Sequence, residues 1–177
     1  MDLKRLFWGF EVHAQWPQFP HDGRIIEPGS RHATMVFLGE TDHDILKPFI
    51  ESYRPAITST PTGYFDHIMF LPNKRKAHVI SLGGKINEMT QCMSEVQRIK
   101  RGMNALGIKT EEREWLFHVT VARAPFRQKP QELQKLWESA LGAQPKLHVP
   151  FSIASISLYQ SMPDLTYKKL HSFPLMC

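Results

Sequence analysis

The sequence predicts an α+β protein with antiparallel or mixed sheets. Strand-like and helix-like segments alternate irregularly along the 177 residues, and several strands follow one another through short connections. Because parallel strands need long crossover connections, this order disfavours a doubly wound parallel sheet. The length is enough for one domain with a substantial core, or for two small lobes that share one core.

The first third of the chain contains two strand patterns separated by a loop. Residues 3–12 are rich in aromatic and aliphatic side chains, which favours a strand. Residues 14–30 hold three prolines and two glycines, so they are predicted to be irregular. Residues 32–38 form a second predicted strand, which Gly39 closes.

Helices are predicted from caps and from apolar periodicity. A short one follows the second strand, capped by Thr41 or Asp42 and limited or kinked by Pro48. The longest lies within residues 85–106, where apolar residues recur at three- and four-residue steps, with Gly107 suited to its C-terminal cap. Its methionines are predicted to fill the core: Met89, Met93 and Met103. The remaining predicted elements are strands over 63–71, 77–82, 115–123, 147–160 and 167–173, and a helix over 130–141.

Composition indicates a reduced, cytoplasmic protein. Cys92 and Cys177 follow no ligand or redox spacing, and no apolar run is long enough to span a membrane. The first residues lack the features of a secretory signal. The net charge of +5 and the pI near 9.3 favour a polyanionic partner, although many basic proteins bind no nucleic acid. We expect no protein partner and a monomer.

One four-residue pattern occurs twice, as HATM at 32–35 and as HVTV at 118–121. Each copy is histidine, any residue, threonine and a hydrophobic residue, and each lies in a predicted strand. Two copies arise by chance in roughly one or two chains per hundred of this composition. The repetition therefore indicates a shared role rather than two unrelated core histidines.

The spacing within each copy has a chemical consequence. Alternate side chains of a strand face the same side, so His32 and Thr34 are neighbours on one face, as are His118 and Thr120. If the two strands face each other, two imidazoles and two hydroxyls line one cleft. Imidazoles, whose pKa values are expected near the working pH, suit general acid–base catalysis of phosphodiester hydrolysis. Hydroxyls suit hydrogen bonding to phosphate oxygens.

Other catalytic patterns find no support. The sequence has no His-Glu-x-x-His, no paired-cysteine motif and no His-x-His, so we expect neither a metal nor a cofactor. The run from Asp42 to Asp44 is more simply a helix cap. Serine-nucleophile and phosphate-loop motifs are also absent. The other seven histidines are predicted to be loop, sheet or helix-start residues: His13, His21, His43, His67, His78, His148 and His171.

Four stretches together resemble a known family. They are Arg5-Leu6-Phe7, HATMVFLGE at 32–40, LGIKTEEREWLFHVTVAR at 106–123, and the tail with SLYQSM, Tyr167 and FPL at 173–175. On these residues the chain resembles the two-histidine phosphoesterase superfamily. Within it, the chain is similar to the bacterial and archaeal RNA 2′,3′-cyclic phosphodiesterases, historically called 2′–5′ RNA ligases.

The resemblance implies a bilobal α+β fold with a central groove, formed by residues 1–177 as one domain. The resemblance further implies that His32 is the general acid for the departing 3′ oxygen and that His118 is the general base that activates water. The product would be a 2′-phosphate. Thr34 and Thr120 are implied to bind the phosphate. Arg123 is implied to contact the substrate, although ideal strand alternation predicts that it faces away from His118.

The chain departs from the family between the first strand and the first motif. Family members usually have a helix there, whereas residues 14–30 are short and rich in proline, so the substrate walls are expected to differ. RNA termini or cyclic nucleotides are the expected substrates. The alternatives are a relative acting on 2′,5′-oligoadenylate or ADP-ribose cyclic phosphate, a nucleotide- or RNA-binding module with weak turnover, and ligation as the reverse reaction.

Overall fold

A computed structural model of the protein describes residues 1–20, 23–125, 128–142, 147–164 and 166–175. These residues contain eight strands and three α-helices. The strands are β1 (Leu3–Ala14), β2 (Arg24–Ile25), β3 (His32–Asp42), β4 (Thr62–Leu71), β5 (Val79–Ile86), β6 (His118–Arg123), β7 (Val149–Ser161) and β8 (Tyr167–Pro174). The helices are α1 (Lys47–Ser52), α2 (Met89–Ala105) and α3 (Pro130–Gly142). Short 3-10 turns cover Pro28–Ser30 and His43–Leu46.

The strands form one antiparallel sheet in the order β2-β6-β5-β4-β7-β1-β3, and β8 pairs with β7. Although β3 and β6 lie far apart on this path, they contact each other. The sheet therefore curves until these two strands meet. The predicted α+β class with antiparallel sheets is confirmed.

Strand β1 is buried on both faces. On one face, the fully buried Trp8 packs against Phe49 and Tyr53, with ring centroids 5.6 and 5.9 Å away. On the other face, Phe7 stacks on Tyr159 at 5.2 Å. This double burial explains why the strand is a nearly continuous apolar run rather than an alternating one.

The buried carboxylate of Glu95, in α2, holds the segment that follows α1. Glu95, which is 1% exposed, accepts hydrogen bonds from the Tyr53 hydroxyl at 2.5 Å and from the Ala56 amide at 2.8 Å. It also pairs with Arg98 one helical turn later, at 2.7 Å. Three donors thus satisfy a charge that would otherwise be costly to bury.

The proline-rich segment is held by Arg31, the residue before the first motif. Its guanidinium lies over the Trp16 ring at 4.8 Å and the Phe19 ring at 5.0 Å, and its Nε donates to the Ile26 carbonyl at 2.9 Å. Burial lowers the pKa of Arg31 to about 10. The described part of 14–30 contains only β2 and one 3-10 turn after the end of β1, in agreement with the predicted irregular loop.

Of the two predicted caps, Asp42 is confirmed: it caps the segment after β3, because its carboxylate accepts the Asp44 amide at 3.0 Å. Two other predictions for helix and strand limits need correction. Pro48 lies in the first turn of α1, where no backbone donor is needed, so the prediction that it limits or kinks the helix is wrong. Strand β6 begins at His118 rather than at residue 115.

Other boundaries agree with the sequence or extend it. Helix α2 lies within the predicted range, and Gly107 follows it with a φ of +80°. Strand β3 continues past Gly39, which adopts a φ of +68°. Strand β5 runs to Ile86 rather than ending at residue 82. Met93 is exposed because the buried face of α2 follows the row Cys92, Val96, Ile99 and Met103, so its predicted core position is wrong.

Three further observations concern membrane spans, metal-binding groups and the cysteines. Among the described residues, no helix has the length and apolar content that crossing a bilayer requires. The same residues contain no group of three or more histidine, cysteine or acidic side chains arranged to hold a metal ion. Cys92 is buried, which raises the pKa of its thiol to about 12. Cys177 and His21 lie outside the described residues.

Candidate active site

The two motifs lie on β3 and β6, the strands that meet where the sheet curves. His32 and Thr34 pair with Glu11 and Gly9 of β1, which are two residues apart and therefore share a face. His118 and Thr120 pair in the same way with residues 83 and 81 of β5. We call the space bounded by these two faces the groove. The intervening Ala33 and Val119 are fully buried on the opposite face.

Both motif histidines are oriented by the same kind of hydrogen bond. Nδ1 of His32 lies 2.8 Å from the Ser30 carbonyl, and Nδ1 of His118 lies 2.9 Å from the Leu116 carbonyl. A carbonyl oxygen only accepts, so Nδ1 of each ring donates its hydrogen. This leaves Nε2 of each imidazole available for proton transfer.

The two imidazoles differ in burial. His32 is 8% exposed and is surrounded by the rings of Phe7, Tyr159 and Tyr167, with centroids 4.7, 5.1 and 4.7 Å away. Burial lowers the pKa of His32 to about 4, the Ser30 carbonyl opposes this, and the nearby His118 lowers the pKa further. The free site thus holds a neutral His32 at neutral pH, and the predicted pKa near the working pH is wrong for this residue.

Arg123 lies on the groove face because β6 contains a bulge. Ser81 pairs with Thr120, and Val79 pairs with Arg123, so Val121 is an extra residue without a partner of its own. Since Val79 and Ser81 are two residues apart, their side chains share a face. Arg123 therefore faces the same side as Thr120, and the orientation predicted from ideal alternation is wrong.

The environment of Arg123 leaves one donor unused. Its Nη2 lies 3.5 Å from the Tyr167 hydroxyl, and Tyr167 meets the His32 ring edge-on. Its Nε is buried and has no hydrogen-bond partner among the residues that the structure describes. An unsatisfied buried donor costs free energy, and an anion in the groove would satisfy it.

Strand β3 has a bulge at the equivalent place. Gly9 pairs with Thr34 and Trp8 pairs with Val36, so Met35 is the extra residue. The next position on the groove face is then Phe37, which is 48% exposed. Phe37 thus occupies in the first motif the position that Arg123 occupies in the second.

Further contacts support the threonines and join the two motifs. The Thr120 hydroxyl lies 3.2 Å from that of Ser81, which is fully buried. Trp115, just before β6, donates its indole hydrogen to the Thr34 carbonyl at 2.9 Å. No motif in the sequence points to Trp115, Ser81, Tyr159 or Tyr167, although all but Ser81 lie in stretches that carry the family resemblance.

Comparison with known structures identifies the class of fold. E. coli LigT complexed with 3′-AMP superposes with a TM-score of 0.66 at 16% identity, covering 99% of this chain and 100% of LigT. A structure described as a phosphoesterase gives 0.65 at 18% identity, with 99% and 100% coverage. A Thermus thermophilus protein gives 0.62 at 19% identity, with 97% of each chain covered. The fold is that of the LigT-like two-histidine phosphoesterases.

Sequence comparison finds a relative with a named activity. The chain is 29% identical over 113 residues to the RNA 2′,3′-cyclic phosphodiesterase of Methanocaldococcus jannaschii. The match covers 62% of this chain and 60% of the relative's length. No protein-family profile matches the chain. The similarity to RNA 2′,3′-cyclic phosphodiesterases that the sequence motifs indicate is thereby confirmed.

Proposed function

We propose that this protein hydrolyses RNA 2′,3′-cyclic phosphate ends to 2′-phosphates without a metal ion, using His32 and His118 as its acid–base pair. The observation that carries the proposal is the matched orientation of the two rings. Each donates from Nδ1 to the carbonyl two residues before it, and Nε2 of neither ring has a hydrogen-bond partner within the described part of the chain. The name of the Methanocaldococcus jannaschii relative supports the choice of substrate.

The reaction needs one proton removed and one supplied. Nε2 of His118 takes a proton from water, whose oxygen attacks phosphorus as the bond from phosphorus to the 3′ oxygen breaks. Nε2 of His32, protonated, gives its proton to that departing oxygen, and the phosphate stays on the 2′ oxygen. The neutral His32 of the free site gains its proton when the anionic substrate binds, because a nearby negative charge favours the imidazolium.

Three further side chains are assigned to the phosphate. Thr34 and Thr120 donate hydroxyl hydrogens to its non-bridging oxygens, since each shares a strand face with its histidine. Arg123 supplies a positive charge through the Nε donor that has no partner in the described part of the chain. Together they hold phosphorus for attack in line with the departing oxygen.

We further propose that residues 1–177 act as one two-lobed domain and that the protein is a cytoplasmic monomer with no cofactor. The substrates are RNA termini or cyclic nucleotides, and the net charge of +5 favours such anions.

A product assay tests this function. The protein is incubated with an oligonucleotide that ends in a 2′,3′-cyclic phosphate, with and without EDTA, and the 2′- and 3′-phosphate products are resolved. We expect only the 2′-phosphate, at a rate that EDTA does not change. A 3′-phosphate would reverse the roles of the two histidines, and activity lost to EDTA and restored by metal would overturn the mechanism. Parallel reactions with 2′,5′-oligoadenylate and ADP-ribose cyclic phosphate compare kcat/KM for the alternative substrates.

A further inference from the structure

A third histidine lies on the groove face beyond His118. Gly83 of β5 pairs with His118 on one side and with His67 of β4 on the other. Residues directly opposite each other on neighbouring strands project their side chains to the same face. His67, which the sequence predicts only as a loop or sheet residue, therefore lies on the groove side of the sheet.

The glycine between the two histidines has a steric consequence. A Cβ atom on Gly83 would lie 2.5 Å from Nε2 and 2.7 Å from Cε1 of His67, and 2.7 Å from Sδ of Met69, so a larger residue there would displace these side chains. The His67 ring thus extends across β5, toward the strand that carries His118, over a position without a side chain. Gly83 contributes no side chain of its own between the two histidines, although the Met69 sulfur also lies over it.

The orientation of the His67 ring is fixed by the preceding residue. Nδ1 of His67 lies 2.6 Å from a carboxylate oxygen of Asp66. Because a carboxylate accepts hydrogen bonds, Nδ1 donates and Nε2 is directed over Gly83. When Nε2 also carries a proton, the ring is a cation held by Asp66, with one N–H left to donate to an anion.

The two sides of the groove differ in how open they are. His32 is enclosed by Phe7, Tyr159 and Tyr167. On the other side His118 is only partly buried, and the His67 side chain beyond it is 57% exposed. A polynucleotide whose terminal phosphate lies between the motif histidines would therefore have more room over residue 83 than on the side of the aromatic rings.

We propose that His67, held by Asp66, binds the backbone phosphate of the nucleotide that precedes the cyclic end of the RNA. This inference rests on the function proposed above. It assigns His67 to substrate selection rather than to the chemical step. It also predicts that the protein prefers a cyclic phosphate on a polynucleotide to the same group on a single nucleoside, because only the former has the preceding phosphate.

The test compares two substrates in wild-type protein and His67→Ala. One is a nucleoside 2′,3′-cyclic phosphate, and the other is a trinucleotide that ends in the same group. We expect the variant to raise KM for the trinucleotide about tenfold, the effect of one lost hydrogen bond to a charged group. Its kcat and its KM for the nucleoside substrate should not change. The dependence of log KM on log salt for the trinucleotide should flatten by about 0.7, one phosphate contact on a single strand.

Two more variants complete the experiment. His67→Gln retains an N–H donor and should recover part of the trinucleotide KM. His78→Ala removes an exposed histidine at the far end of the hairpin of β4 and β5 and should behave as wild type. If His67→Ala affects both substrates equally, or neither, the inference is wrong while the proposed function stands. If wild-type protein hydrolyses neither substrate, the proposed function itself fails.

Discussion

Nη2 of Arg123 lies 3.5 Å from the hydroxyl of Tyr167, a residue whose ring meets His32 edge-on at 4.7 Å. Tyr167 thus contacts one side chain from each motif strand. The contact between Arg123 and Tyr167 is at the limit of hydrogen-bond length. Among the described residues, the guanidinium forms no ion pair with a carboxylate.

We expect Arg123 to matter for substrate binding far more than the Tyr167 hydroxyl does. Arg123→Met should raise KM for a nucleoside 2′,3′-cyclic phosphate about 10- to 100-fold, because a hydrogen bond to a charged group is lost. Tyr167→Phe removes only a weak contact and should change KM less than about threefold. Steady-state kinetics of the two variants measure the difference. Similar losses in both would assign the binding to the phenol rather than to the cation.

Removing either motif imidazole should abolish turnover without unfolding the protein. His32→Ala and His118→Ala are each expected to lower kcat about 10²- to 10⁴-fold, the usual contribution of a general acid or base. Circular dichroism and thermal unfolding verify the fold of each variant. The half-buried His43, whose Nε2 lies 3.0 Å from that of His171, provides a control: His43→Ala should keep wild-type kcat. Near-normal turnover in either folded motif variant would exclude that residue from catalysis.

The burial of His32 should make stability depend on pH. Its pKa in the folded protein, about 4, lies below the ordinary value of 6.5. As the pH falls from 6.5 to 4, the unfolded chain binds a proton that the folded site does not. The free energy of unfolding should therefore decrease by up to about 3 kcal/mol across this range, with no further loss from this group at lower pH.

Urea unfolding of wild type and His32→Gln at several pH values measures this effect. Glutamine cannot titrate, so the difference in free energy between the two proteins should change between pH 6.5 and 4 and be constant above pH 6.5. A difference that is flat throughout would mean that His32 titrates normally in the folded protein.

Glu95 should be important for stability but not for activity. Glu95→Ala leaves the Tyr53 hydroxyl and the Ala56 amide without their acceptor and removes the partner of Arg98. We expect a loss of about 2–4 kcal/mol in the free energy of unfolding. Glu95→Gln keeps an acceptor oxygen and should lose less. Equal losses would show that the charge, rather than the hydrogen bonds, stabilises this contact.

Local patterns in the sequence predict much of this fold. The apolar periodicity of α2 and the glycine after it define that helix, and both motif segments are strands as expected. These properties depend on neighbouring residues, which a sequence displays directly. Strand alternation alone predicts that His32 and Thr34 share one face of β3, and the register of β1 and β3 agrees with this.

Properties that depend on distant residues could not be predicted. The bulge at Val121, which turns Arg123 into the groove, is visible only in the register with β5. The low pKa of His32 arises from aromatic rings on β1, β7 and β8, which no local pattern brings to that site. The position of His67 beside the groove similarly requires knowing that β5 lies between β4 and β6.

The matched bulges in β3 and β6 place chemically different side chains at equivalent positions on the groove face. The two strands repeat the same backbone irregularity, yet one presents the half-exposed ring of Phe37 where the other presents the guanidinium of Arg123. One end is therefore flat and apolar, and the other is cationic. A ligand that joins an aromatic base to a phosphate has the same asymmetry, so turning it end for end would bring its charge against the ring. We therefore expect these two strands, although they share one bulge, to distinguish the two orientations of a nucleotide in the groove.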